Sequence, residues 1–419
     1  MNNLAMIVGW MLVGLALAQA LLACGYVWIL HRRRRDLLAD DACPKAAVIL
    51  CLRGADPFLP NCLQALLNQD YPHYDLHVVV DHPDDPAWSI VEDVVKQCHA
   101  TPIHLQPLRD HRLTCSLKCS SLVQAISSLD DAYDVIVQVD ADTIPHRQWL
   151  RELVTPLADE QVGASTGSRW YMASESSWGT MVRYAWNAAA VVPMYWGRIA
   201  WGGTLAIKAQ VFRDSDLLHR WGHAFCEDTM INTCLRRQGL RLAFVPALMM
   251  VNRETCSLSA LFPWICRQLL TTRLYHRSWW GIVGHGLSTT ILLIMSLGIL
   301  VVALLTRDWE AAAWAGGGFV GYEAMMVLLL ILLEAAVRQV VRDRGEPTAW
   351  LTRAALTRYL PAIPLAQGLY AAVLIKTMFM RTVEWRGIVY HIEGAGRIRL
   401  LEYLPYRRRH PSSDSISSL

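Results

Sequence analysis

The sequence predicts an α/β fold: a doubly wound, mainly parallel sheet joined to α-helical transmembrane segments. Three observations carry that expectation. Short β-rich runs alternate with helical patterns between residues 46 and 140, the order that builds parallel strands with helical crossovers. Long uncharged runs stand on either side of this region. The strands end on acidic residues, Asp81 and Asp140, and ligands of such sheets bind beyond the carboxyl ends of the strands.

The first element is apolar. Residues 4–30 carry no formal charge, and about 20 apolar residues cross a bilayer as a helix. The run is longer than a signal-peptide core. Its basic cluster, Arg32 to Arg35, follows it instead of preceding it, so it reads as a retained anchor over residues 1–31. Positive residues beside a span stay cytoplasmic, which sets the next domain in the cytoplasm. The cluster also suits anionic lipid head groups.

The soluble part then alternates. "AAVILCL" (46–52) reads as a strand and "PFLPNCLQALLNQD" as a helix. "DLHVVVD" (75–81) is a second strand, followed by the helical "PAWSIVEDVVKQC". "IHLQPL" (103–108) and "SLKCSSLVQAISSL" form the third pair, and "VIVQVD" ends the series on Asp140. There is no P-loop, no G-x-G-x-x-G after a strand and no internal repeat.

Two more runs follow. Residues 282–306 are uncharged, and 311–333 carry only Glu323. A fourth, 359–380, contains Pro361, Pro364 and Lys376. It is preceded by Arg338, Arg342, Arg344, Arg353 and Arg358 and followed by Arg397, Arg399 and Arg407 to Arg409. With both flanks basic, the run is expected not to cross but to break or re-enter, leaving the C-terminus cytoplasmic. A plain fourth span is the alternative. The tail "HPSSDSISSL" has almost nothing to bury and reads as disordered.

Composition bounds the function. The hydrophobic fraction is 53% and mean hydropathy is +0.24, high for a purely soluble chain. A net charge of +3 is no nucleic-acid footprint. The 11 cysteines include no C-x-x-C pair, so a zinc site is not expected and free thiols fit a reducing cytoplasm.

Asp140 and Asp142 stand two apart, pointing the same way as the strand frays. Two carboxylate oxygens there suit one hard cation, Mg²⁺ or Mn²⁺, bridging to a diphosphate; two solvated loop aspartates are the plainer reading. Glu227 and Asp228 stand at the expected start of an amphipathic helix with Met230, Ile231, Cys234 and Leu235 as its stripe. They answer the helix dipole or supply a general base. "WICRQLLTTRLYHRSWW" (264–280) carries Arg267, Arg273 and Arg277 among aromatics. These arginines suit a leaving diphosphate, and the segment, 257–281, suits an amphipathic helix on the membrane surface. Trp178, Trp186, Trp196 and Trp201 are either core or the lining of a groove for a lipid head group.

These stretches resemble a family: membrane-bound inverting glycosyltransferases with an A-type nucleotide-sugar-binding fold, among them most closely the ceramide glucosyltransferases. The carrying stretches are "LRGADPFLPNCLQALLNQDYPHYDLHVVVDHPDDPAW" (52–88), "VDADT" (139–143), "WGGTLAIKAQVF" (201–212) and "CEDTMINTCLRRQGLRLAFVP" (226–246). The resemblance implies a catalytic domain over 32–256 and a membrane region over 282–383, with 384–419 as a tail. It implies Asp81 and Asp85 in the nucleotide-binding block, Asp140 and Asp142 on metal and diphosphate, Lys118 and Glu227 at the donor, and Asp228 as the base. Of the family's last motif, Gln or Arg, two residues, then Arg-Trp, only Arg267 remains, because Trp264 and Gln268 fill the outer positions. "EWRGIVY" (384–390) resembles a Trp-Arg-Gly segment near the C-terminus of such enzymes.

The implied reaction is inverting transfer of a sugar, glucose first, from a UDP-sugar to a lipid hydroxyl, ceramide first, giving a β-glycosyl lipid. Diacylglycerol, a hopanoid or a polyprenyl phosphate are the alternative acceptors. A nucleotide-sugar binder without turnover is the rival from another class.

Overall fold

The computed structural model describes residues 1–32, 36–97, 102–172, 177–348 and 353–406, with only the backbone given for 353–359. Arg33 to Arg35, Arg407 to Arg409 and the tail 410–419 lie outside the described residues, as do the side chains of Arg353 and Arg358.

Helix α1 (Asn2–His31) leads into β1 (Ala46–Leu52), α2 (Leu59–Leu67), β2 (Tyr74–Val80), α3 (Pro86–Gln97) and β3 (Ile103–Pro107). Then come α4 (Leu117–Ser127), β4 (Val135–Val139), α5 (Trp149–Val154), β5 (Val162–Tyr171) and α6 (Trp178–Gly197). The domain closes with β6 (Thr204–Lys208), α7 (Ala209–Arg213), α8 (Leu217–Trp221), α9 (Ile231–Arg237) and β7 (Arg241–Asn252). Four helices follow: α10 (Leu258–Tyr275), α11 (Trp279–Thr306), α12 (Trp309–Asp343) and α13 (Arg353–Phe379). A small sheet, β8 (Thr382–Trp385), β9 (Ile388–Gly394) and β10 (Arg397–Glu402), ends the described chain.

The main sheet has the order β3-β2-β1-β4-β6-β5-β7. β3, β2, β1 and β4 run parallel, as the alternating pattern predicts. β6 is antiparallel to both β4 and β5, and β5 runs parallel to β7. Both faces are covered, which is why the strands read as continuous apolar runs. Along β1 the period of two is explicit: Val48, Leu50 and Leu52 join one core with Leu63 of α2 and Trp149 of α5. Ile49 joins the other with Leu122 of α4 and with α6, α10 and α12.

That second core is continuous with the helical bundle. Glu334 of α12 shows why a carboxylate tolerates this place. It accepts from Trp170 Nε1 (2.8 Å) and the Tyr184 hydroxyl (2.7 Å), and Arg338 lies 2.5 Å away. α12 then docks on the domain through Arg344, which meets Glu152 (3.4 Å) and the Met249 carbonyl (3.3 Å). α1, α11 and α12 pack together, with Ala5, Ala303, Ala311 and Ala315 interlocking at the end away from the domain.

Among the described residues, four helices are long and apolar enough to cross a membrane: α1, α11, α12 and Leu360–Phe379 of α13. The expected break at Pro361 and Pro364 does not occur. α13 is one helix through both prolines; each proline removes a single backbone donor, a loss that packing against α6, α10 and α11 tolerates. The chain on either side of α13 is nevertheless tied to Arg253, just after β7, and to α10. Pro347, shortly before α13, accepts from Arg253 at 2.5 Å. Its last carbonyls, Thr377, Met378 and Met380, accept from Arg273.

The segment 257–281, expected on a membrane surface, contains α10 (Leu258–Tyr275). α10 buries Leu261, Trp264, Ile265, Leu269 and Leu270 in the main core. The tryptophans divide: Trp178 and Trp196 are exposed, Trp186 packs edge-on against Trp264 (5.5 Å), and Trp201 is buried.

Candidate active site

The carboxyl ends of β1, β2 and β4 open on one cavity of about 190 Å³. Main-chain ties fix its rim: the Asp81 amide donates to Leu52 (2.9 Å) and the Asp140 amide to Gly203 (3.4 Å). Asp81, Lys118, Asp140, Asp142, Glu227, Asp228 and Arg267 all line it.

Lys118 organises the acids. It extends from the first turn of α4, whose N-cap Ser116 accepts from the Cys119 amide (3.2 Å). Its ammonium lies 2.7 Å from Asp140 and 2.8 Å from Glu227. Burial alone would neutralise the lysine, but the two carboxylates hold its pKa well above the ordinary value. Burial also pushes Asp140 up, and Lys118 reverses this, holding it below the usual carboxylate range. Burial wins at Glu227, which stays above that range despite Lys118.

Asp142 is different. One oxygen accepts from Asn252 (3.0 Å); Oδ1 is buried and has no hydrogen-bond partner among the described residues. Burial, reinforced by the Asp140 charge, pushes its pKa up to about 7. A buried oxygen with a free lone pair beside a second carboxylate fits a divalent cation. A different cluster, Asp75, His77 and His104, brings three metal-ligand atoms within 4.8 Å of one another. It lies on the β2–β3 pair, away from the cavity, and the Tyr133 hydroxyl joins Asp75 (2.5 Å) to His77 (3.2 Å) there.

Asp228 is held by three donors: the Gly202 amide (2.7 Å), the Cys226 thiol (2.8 Å) and the Thr229 hydroxyl (2.8 Å). The glycines of "WGG" permit this approach. A Cβ at Gly202 would collide with Glu227 Oε1 and stand 3.2 Å from Asp228, and one at Gly203 would stand 2.8 Å from Asp140. Glu227 and Asp228 do not begin a helix as expected. α9 starts at Ile231, because both acids are held in the preceding turn by Lys118 and Gly202.

Two residues expected at the donor do not line the cavity. Arg273 does not line the cavity. It stands six residues from Arg267, which puts it on another face of α10, and it caps the end of α13. Asp85 does not line the cavity either. Its oxygens accept from the Gly54 and Ala87 amides (both 2.8 Å), tying the β1–α2 loop to the start of α3. Arg277 lies beyond the end of α10.

Arg53, Arg169 and Arg386 also line the cavity, and the sequence reading missed them. Arg53 pairs with Asp81. The strand-end rule that selected Asp81 applies equally to "AAVILCLR" and would have found it. Asp81 keeps Oδ1 buried with no hydrogen-bond partner among the described residues, and burial raises its pKa against the pull of Arg53. At Arg267, burial and then the neighbouring Arg386 and Arg169 lower the pKa to about 10.

The sequence matches the model of glycosyl transferase family 21 over residues 8–398. Among solved structures the chain is similar to the mannosyltransferase PcManGT from Pyrobaculum calidifontis in complex with GDP-Man and Mn²⁺. The identity is 18%, the coverage 89% of this chain and 99% of that one, and the TM-score 0.48. It is also similar to glucosyl-3-phosphoglycerate synthase from Mycobacterium tuberculosis, solved with Mn²⁺, UDP and phosphoglyceric acid. There the identity is 14%, the coverage 57% and 84%, and the TM-score 0.37. No curated protein matches the chain.

Proposed function

This chain belongs to glycosyl transferase family 21, and from that premise we propose that it transfers glucose from UDP-glucose to a hydroxyl of a membrane lipid, ceramide, with inversion at the anomeric carbon. The family is that of the ceramide glucosyltransferases. One observation supports the reading best. Asp228, Asp142 and Arg267 line a single cavity whose α10 wall continues through residues 276–278 into the long apolar helix α11. A lipid hydroxyl held at the membrane face and a water-soluble donor then reach the same space.

The chemistry follows from the groups present. Asp142 with Asp140 would hold a divalent cation, Mg²⁺ or Mn²⁺, which would supply positive charge to the donor's diphosphate. Asp228 takes the proton of the lipid hydroxyl as its oxygen bonds to the anomeric carbon. The bond from that carbon to UDP breaks, and its electron pair leaves with the diphosphate, whose charge Arg267 meets. Lys118 does no proton transfer; it fixes Asp140 and Glu227. One displacement turns an α-linked donor into a β-glycoside without a nucleophile on the enzyme. The catalytic domain faces the cytoplasm, where basic Arg32 follows α1 and Arg342 and Arg344 end α12.

The test is a panel. Purified protein is incubated with labelled UDP-glucose or UDP-galactose and with ceramide, diacylglycerol, a hopanoid or a polyprenyl phosphate, and products are separated by chromatography. Labelled glucosylceramide is expected. Label on another lipid would replace the acceptor, and no UDP release with any pair would leave a binder without turnover.

A further inference from the structure

The small C-terminal sheet folds back onto the cavity from the far end of the chain. Its β8–β9 hairpin turns through Arg386 and Gly387, at φ of 48° and 78°. This is a two-residue turn with both central residues left-handed. Glycine adopts that backbone freely and arginine does not, so an arginine kept at the tip points to a use for its side chain.

That side chain lines the cavity. Arg386 donates to the Arg53 carbonyl, Arg53 Nε donates back to the Arg386 carbonyl (3.1 Å), and Asp56 lies 3.6 Å from the guanidinium. The neighbouring Trp385 stacks under Arg267, 5.0 Å from ring centre to guanidinium. Other residues press the sheet onto both acidic blocks. The Tyr390 hydroxyl accepts from the Leu117 amide (3.2 Å), next to Lys118. The Tyr403 hydroxyl lies 3.4 Å from Asp81 with its ring on His111, and Arg53 donates to Leu404 (2.7 Å). Arg386, Arg267 and Arg169 thus crowd one small space, and Arg267 is lowered by the other two after burial. Guanidinium groups gathered this closely call for an anion with several oxygens.

We propose that the β8–β9 hairpin is part of the donor site: Arg386 binds the diphosphate of the nucleotide sugar, and Trp385 orients Arg267 toward the same charge. The proposal rests on the reading of the donor as a nucleoside diphosphate sugar.

The experiment measures binding of UDP and of UMP, each with Mn²⁺, by calorimetry on the full chain in detergent, for wild type and Arg386→Gln. The variant is expected to bind UDP about 10- to 100-fold more weakly, the range for a lost hydrogen bond to a charged group, and to lose most of the preference for UDP over UMP. A merely structural role for Arg386 leaves that preference intact in a protein of lower melting temperature. If Arg386→Gln does not fold, Arg386→Lys decides, because an ammonium keeps the charge and lacks the fork; it is expected to lose at least about tenfold. UDP affinity within twofold of wild type in either folded variant overturns the proposal. A wild type that binds UDP separates that failure from failure of the donor reading; one that binds none overturns both.

Discussion

The ammonium of Lys118 lies 2.7 Å from Asp140. The acid that ends β4 thus already has a cation, and the same ammonium holds Glu227. Asp142, the neighbour of Asp140, has one oxygen without a hydrogen-bond partner among the described residues. Lys118 is thus fully engaged with two acids, whereas Asp142 is not.

Lys118→Met leaves two carboxylates without their shared partner in a buried setting. Breaking such a pair costs about 3 kcal/mol or more, and the loss appears in the midpoint of chemical unfolding. A midpoint equal to wild type would contradict the scaffold role.

Asp142→Asn removes a charge that burial opposes. The variant is expected to be at least as stable as wild type while losing Mn²⁺-dependent UDP binding, a trade typical of functional sites. EDTA is expected to have the same effect on wild type. Undiminished UDP binding in EDTA would show that the arginines suffice.

Asp228→Asn is expected to lower kcat by about 10²–10⁴-fold, the usual worth of a general base. UDP affinity stays within a few-fold, because Asp228 meets the acceptor. Turnover within a few-fold of wild type would contradict its role as base.

Gly202→Ala inserts a methyl group against Glu227 and beside Asp228. It is expected to reduce kcat more than UDP affinity, since it displaces the base and leaves Asp142 untouched. Steady-state kinetics with calorimetry checks the split; normal kcat would contradict it.

A cysteine at Ala395, exposed in the β9–β10 turn, reports topology. The stretch just before α13 is held by Arg253, at the end of the β-sheet domain, and the end of α13 by Arg273 of α10, a helix that packs in the core of that domain. An impermeant thiol reagent should therefore label Ala395→Cys only from the side that labels that domain. Labelling from the opposite side would mean that α13 spans.

The part of this fold legible in the sequence was the part governed by local period. β1 to β4 and their helices stand close to where alternation put them, because buried parallel strands write their burial into the chain as apolar runs. Asp81, Asp140 and Asp228 were legible because strand ends and a short acidic motif mark them. Asp85 and Arg273 were assigned to the donor because a motif gives residue types without saying which amides or carbonyls wait nearby. Arg169 gave no signal, since Trp201 and Trp264 meet it only through tertiary packing. Arg386 stood in a stretch already noticed, "EWRG", but its distance from Arg53 in the chain left no local cue that the two would meet.

The most direct measurement of the central claim is the anomeric configuration of the lipid product, read by proton NMR after wild-type protein has used α-linked UDP-glucose and ceramide. A β-glucosyl lipid made by wild type, and absent with Asp228→Asn, is the predicted result. An α-glucosyl lipid would contradict single displacement with Asp228 as base, because retention at that carbon requires a different chemistry in this cavity.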